Sequence, residues 1–217
     1  MISLFIRQKQ KYLADLNSEI RDKSKKGFID EEIKELVATI NKQEDYYTTS
    51  SCSGRILLYT ISEDRKKNET EWLFVSHNIV SESEIRIALK KLPKGIIFFR
   101  FEPLILHVVC KTMDAAQNLL QICGMCGLKH SGAMTLGKRI IVEIIGNDRL
   151  DAPVAKDGKI IITEEGISHY VADANEKMKR NLERIEKINY FFFNKNASIA
   201  PRTTNPIMSP PINKGSV

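Results

Sequence analysis

Apolar positions recur with a helical period in the first forty residues. Tyr12, Leu13, Leu16 and Ile20 share one face, and the basic stretch Lys23-Ser24-Lys25-Lys26-Gly27 ends that pattern. Asp30 stands where a helix N-cap is expected, with Glu31 and Glu32 in the acid-favouring first turn. Ile33, Leu36, Val37 and Ile40 then repeat at i, i+3, i+4, i+7. Two short amphipathic helices are predicted, each needing a partner surface to be stable.

The period then changes. Residues 55–61 and 71–76 read as strands joined by the polar loop 63–70. Ser81 and Glu84 have capping-box spacing and open a helix carrying Ile85, Ala88, Leu89 and Leu92, which Pro93-Lys94-Gly95 stops. Strands are expected at 96–102 and 104–110, with Pro103 as a break, edge or bulge because it cannot donate to a ladder. Thr112 caps a helix bearing Ala116, Leu119, Leu120 and Cys123, and Gly124 and Gly127 can end it. Strands at 131–136 and 139–145 follow, then a loop over 147–158 and a short strand at 159–162. Thr163 caps a helix to residue 193, striped by Ile167, Val171, Ala174, Met178, Leu182, Ile185 and Phe192 and on the order of 45 Å long.

These elements imply an α+β fold. Its mixed, largely antiparallel sheet is built from strand-strand-helix units, with N-terminal helices and a long C-terminal helix. The twofold strand-strand-helix order hints at duplication, without a residue-by-residue repeat. Residues 1–193 are expected to form one domain. Residues 194–217, rich in Pro, Asn and Ser, are expected to be a mobile tail.

Composition narrows the class. Of 217 residues, 42% are hydrophobic and 28% charged, enough for a real core. No apolar run nears the ~18 residues that cross a bilayer, and the opening residues do not form a signal peptide. Four cysteines do not make a disulfide framework, so a cytoplasmic protein with no membrane contact is expected. The net charge of +6 points only weakly to a polyanion, since half of it resides on Lys195, Arg202 and Lys214 in the tail.

The densest polar segment is Tyr46-Tyr47-Thr48-Thr49-Ser50-Ser51-Cys52-Ser53-Gly54-Arg55. Ser50, Ser51 and Ser53 with free N–H groups can cup an anion, Gly54 permits close approach, and Arg55 can grip a carboxylate or phosphate. A loop that satisfies only its own backbone is the alternative. Cys52 as a nucleophile lacks a base nearby in sequence. Cys123, Cys126 and His130 resemble half a zinc site without a second half, so no metal is expected. His77 and His107 sit at strand ends or breaks and are base candidates, with Glu102 beside Pro103. Ser131-Gly132 is a further polar turn. No Gly-x-Gly-x-x-Gly follows a strand, so a Rossmann fold is not signalled.

Together these segments resemble the archaeal form of the wybutosine-synthesis methyltransferases, the third enzyme type of that pathway. The resemblance lies in Ser50-Ser51-Cys52-Ser53-Gly54-Arg55, Trp72 to His77, Glu102-Pro103 to His107-Val108, and Lys129-His130-Ser131-Gly132, with Asn175 and Asn181 in the last helix. It implies methyl transfer from S-adenosyl-L-methionine to N4 of a tricyclic guanine at position 37 of tRNA-Phe, in the anticodon region. The expected cofactor contacts are Ser50, Ser51, Ser53, Gly54, Arg55 and Trp72. His77 or His107 is the expected base, with Glu102 orienting it. Ser131, Gly132 and Arg139 are expected on the tRNA side, and Lys23, Lys25, Lys26, Lys90, Lys91, Lys94 and Lys138 are candidate phosphate contacts. A non-catalytic tRNA-binding module is the alternative.

Overall fold

The computed structural model describes residues 3–16, 29–61 and 70–193. Ile20, the lysines at 23, 25 and 26, and the tail expectation lie outside them. The described elements are α1 (Leu4–Leu16), α2 (Glu31–Lys42), β1 (Tyr46–Cys52), β2 (Arg55–Ile61), β3 (Thr70–Ser76), α3 (Glu82–Ala88), β4 (Ile96–Glu102) and β5 (Ile105–Cys110). They continue with α4 (Met113–Met125), β6 (Gly132–Leu136), β7 (Ile140–Ile145), β8 (Leu150–Lys156), β9 (Lys159–Ile160) and α5 (Glu164–Phe193). No described helix is long and apolar enough to cross a membrane.

The α+β class stands, and the strands divide into two antiparallel sheets. Their orders are β1-β5-β7-β6 and β3-β2-β4-β8-β9. β1 runs into β2 through Ser53-Gly54, β4 into β5 through Pro103-Leu104, and β7 into β8 through residues 146–149. In each sheet these strands are neighbours in matching order, so the sheets behave as three long strands broken at one level. The strand-strand-helix order holds along the chain. β2 and β3 pair with each other, whereas β4 and β5 lie in different sheets, so the two units are not copies.

Two apolar clusters lie on the same side of this broken sheet. One joins α2, α4 and the C-terminal part of α5 to Leu106, Val108, Val142 and Ile144 of the first sheet. The other joins α3 and the N-terminal part of α5 to Ile56, Leu58, Phe99 and Phe101 of the second. The predicted stripe on α5 therefore serves two cores in succession: Ile167, Val171, Ala174 and Met178, then Ile185 and Phe192, which Ile188 joins. On the opposite face α1 packs over β1, with Phe5 and Tyr12 each 5.3 Å from Tyr47 between ring centroids.

Two segments read as loops are strands. Tyr46–Cys52 is polar in sequence, yet Tyr46, Tyr47 and Thr48 are buried by α1, α2 and the first core. Leu150–Lys156 contains Asp151 and Pro153, residues with turn chemistry. β4 overrides it, because Ala152, Val154 and Ala155 bury against Phe99 and Ile97. Pro153 is accommodated at a register shift beside Phe98.

Candidate active site

The break between the sheets is held by α5. Asn181 is fully buried, a costly position for an amide unless both ends are bonded. Its Oδ1 accepts from the Leu104 N–H at 2.8 Å, and its Nδ2 donates to Ser53 O at 2.6 Å. One side chain thus ties together the β1–β2 and β4–β5 crossings. Gly54 has φ +104°, and a Cβ there would lie 2.9 Å from Asn181 Nδ2 and 3.0 Å from Glu102 O. At the third crossing a Cβ on Gly146 would lie 2.4 Å from Pro103 Cβ. Six residues before Asn181, Asn175 clamps the chain after β3 by accepting from Val80 N and donating to Val80 O, at 2.9 and 2.7 Å.

Beside this junction lies the first group of side chains. His77 Nδ1 is 2.8 Å from Gly54 O and 3.2 Å from Asp30 Oδ2. The Asp30 carboxylate also accepts from Ser53 N at 2.7 Å and Ser53 Oγ at 3.2 Å. Asp30 occupies the N-cap position of α2, as the pattern predicts, but its side chain makes no cap hydrogen bond. Ser81, Thr112 and Thr163 do use their side chains at helix starts.

Cys52 Sγ lies 4.0 Å from His77 Nδ1, so the fold supplies the histidine that sequence distance hid. Burial, with Asp30 adding to it, pushes the Cys52 thiol up to about 11 against neighbouring groups that lower it, so a thiolate nucleophile is not prepared. Asp30, Cys52 and His77 bring ligand-type atoms within 4.8 Å of one another. Nδ1, however, is already committed to a carbonyl. Cys123 and Cys126 are buried in the first core.

The second group begins at Arg55. Its Nε donates to Glu102 Oε2 at 2.6 Å, and its guanidinium lies 4.5 Å over the Trp72 ring. Arg100 donates to Glu102 Oε1 at 3.2 Å, lies 4.3 Å over the Tyr59 ring and pairs with Asp151. Glu102 is therefore held between two guanidiniums rather than against a histidine. Arg55, Trp72, Arg100 and Glu102 occupy the face away from α5, because Ile56, Leu58, Phe99 and Phe101 alternate with them toward the core.

The third group is a row across the first sheet. Ser50 is opposite His107, His107 opposite Glu143, and Glu143 opposite Gly132. His107 Nε2 and Glu143 Oε2 are 3.0 Å apart. Ser131 Oγ accepts from Ile145 N at 3.2 Å and closes the β6–β7 hairpin. Ser51 pairs with Leu106 in β5, outside all three groups. Arg139 is exposed and donates to Tyr12 Oη at 3.4 Å, tying α1 to that hairpin instead of joining the histidines.

Sequence reasoning missed Asp30, Arg100 and Glu143 as site residues. Glu143 stands alone as a charge within its apolar strand, Ile-Ile-Val-Glu-Ile-Ile, and Arg100 interrupts the apolar run Ile-Ile-Phe-Phe-Arg-Phe ahead of Glu102. That signal was available. Asp30 had a sufficient local explanation as a cap, and nothing in the sequence alone separates a working cap from one turned elsewhere.

Comparison with known proteins bears on this arrangement. The family model described as "Methyltransferase TYW3" matches residues 7–192, a span containing all three groups. The chain belongs to the TYW3 methyltransferase family. The family and the enzyme class read from the motifs are thereby established, and the non-catalytic alternative is not favoured. A Thermococcus sibiricus protein named "tRNA(Phe) 7-((3-amino-3-carboxypropyl)-4-demethylwyosine(37)-N(4))-methyltransferase" is 35% identical over 182 residues, covering 83% of this chain and 90% of its own. The Xenopus laevis "tRNA wybutosine-synthesizing protein 3 homolog" is 38% identical over 171 residues. The match takes in 76% of this chain and 67% of the Xenopus one, so this chain spans about two thirds of that longer relative. Among solved structures, the PH1069 protein of Pyrococcus horikoshii aligns with TM-score 0.80 and 34% identity over 87% of this chain and 95% of that one.

Proposed function

We propose that this protein acts in the cytoplasm, transferring the methyl group of S-adenosylmethionine to N4 of a 4-demethylwyosine-type guanine at position 37 of tRNA(Phe). The observation that supports this most is the family match over residues 7–192. It coincides with the gathering of motif residues from distant segments at the sheet break. Residues 1–193 are read as one working unit, since α5 contributes to both cores.

The side chains present suit such a cofactor. Arg55 and Glu102 set opposite charges side by side, as a bound α-amino acid requires, and Trp72 adds an aromatic face. S-adenosylmethionine, when bound, supplies a methyl group on a positively charged sulfur. The relatives' named substrate also carries a 3-amino-3-carboxypropyl chain, so the same charged pair is suited to either partner. The remaining work falls to this chain's own groups. Ser53 and Gly54 shape the backbone at the crossing, and His77 takes the N4 proton on its Nε2 as the bond from N4 to the methyl forms and the methyl–sulfur bond breaks, its electrons staying on sulfur. His107, Ser50, Ser131 and Gly132 line the neighbouring sheet face on the tRNA side. Phosphates meet the exposed Lys90, Lys91, Lys94, Lys138 and Arg139, making affinity fall with salt.

The test is incubation of the full chain with methyl-labelled S-adenosylmethionine and tRNA from wybutosine-making cells that lack this gene. Label is expected in tRNA(Phe) alone, on a nucleoside one methyl heavier. Binding of that tRNA without any incorporation of label would return the protein to the non-catalytic reading.

A further inference from the structure

We propose that Asp30 is a positioning residue that fixes the tautomer of His77, keeping the proton on Nδ1 and leaving Nε2 as the ring's one lone pair. The inference deepens the reading of His77 as the base and rests on it for its catalytic meaning. Its structural content stands separately.

Nδ1 faces acceptor atoms. Gly54 O, at 2.8 Å, is a backbone carbonyl and can only accept. Asp30 Oδ2, at 3.2 Å, belongs to a carboxylate that already takes the Ser53 N–H and hydroxyl. Ser53 Oγ is 3.5 Å from Nδ1 and has Asp30 as a nearer acceptor for its own proton. A ring nitrogen facing a carbonyl and a carboxylate must carry hydrogen, so a neutral ring has its lone pair on Nε2.

The placement is enforced from three directions. Gly54 can aim its carbonyl because it adopts φ +104°, and Asn181 pins the preceding Ser53 O. Asp30 is delivered by the start of α2, whose Ile33, Leu36, Val37 and Ile40 anchor it in the first core. It also forgoes the stabilising side-chain cap bond that its position offers. A carboxylate turned from a helix start toward an imidazole is the orienting arrangement of a base and its partner. His107 lacks this logic, because its carboxylate partner occupies Nε2.

The experiment uses the full chain with nitrogen-15 in its histidines. Long-range proton–nitrogen spectra separate protonated from lone-pair ring nitrogens, and the His77→Gln variant assigns the signals. The wild type is expected to show Nδ1 protonated and Nε2 bare. Asp30→Ala leaves Nδ1 only the Gly54 carbonyl and is expected to give a measurable Nε2-protonated fraction and a kcat lower on the order of 10²-fold, with KM for both substrates unchanged. Asp30→Asn, whose amide oxygen can take the place of Oδ2 toward Ser53 N and Nδ1, is expected to keep the Nδ1 proton, and thermal unfolding checks that both variants fold. Asp30→Glu should restore part of both readouts. A wild-type ring with its proton on Nε2 overturns the proposal, and so does an Asp30→Ala ring that stays purely Nδ1-protonated. If tRNA methylation itself fails, the nitrogen spectra still decide the role of Asp30.

Discussion

His77 and His107 each meet a carboxylate, and the two pairs are built in different ways. His107 and Glu143 are direct cross-strand neighbours on β5 and β7, so register alone brings them together. Such a pair arises wherever opposite charges face each other on a sheet and contributes a fraction of a kcal/mol. The pair of His77 and Asp30 joins the end of β3, the start of α2 and the Ser53-Gly54 crossing, segments 23 to 47 positions apart. No single element dictates it, and it stands on a buried asparagine and a glycine with positive φ. That difference supports the proposal that His77 is the base, with His107 left to the surrounding surface.

The sharpest break of this comparison is kinetic. His77→Ala is expected to lower single-turnover methylation by about 10²–10⁴-fold, and His107→Ala by less than about tenfold. The reverse ranking would exchange their roles. Next comes the support. Asn181→Ala strips two backbone groups of their buried partner and is expected to cost about 2–4 kcal/mol in urea unfolding, against about 1 kcal/mol for the half-buried Asn175→Ala.

Smaller again is the effect at Cys52, whose thiol is raised from an ordinary value of 9.0 to about 11. The folded state holds this proton more tightly than the unfolded one. The contribution is therefore complete below about pH 9 and fades as pH rises toward 11. Denaturation between those values should show a decline that Cys52→Ser reduces, and thiol reagents at pH 8 should label Cys52 slowly. The smallest effect is expected for Glu143→Gln, at most about 1 kcal/mol of stability, because the side chains of both partners remain partly exposed. A loss in kcat as large as that of Asp30→Ala would erase the distinction between the pairs.

Most helices were legible because their signals are local. The Ser81 capping box and the Thr112 cap work as their spacing implies, and the α5 stripe buries along its whole course. Pro103 did mark a break. What escaped is non-local. β8 is a strand because β4 lies beside it, whatever Asp151 and Pro153 prefer, and β1 is buried by α1, α2 and the first core rather than by its own composition. The same holds for the site. Arg55, Trp72, His77 and Glu102 could be named from motifs, while the partner of each had to await the fold. Glu102 serves two arginines, and the orienting carboxylate comes from Asp30, which sequence reasoning had explained as a cap.

Asn175 and Asn181 of α5 have a consequence for how this family can vary in length. Val80 is gripped at position 175 and the strand crossings at 181, so the helix works as a gauge with two fixed marks. One inserted residue between the marks would swing the second by about 100° and slide it by about 1.5 Å. Only one grip could then be kept. Insertions and deletions should accumulate in the surface connections and at the far end of α5, and be refused between positions 175 and 181.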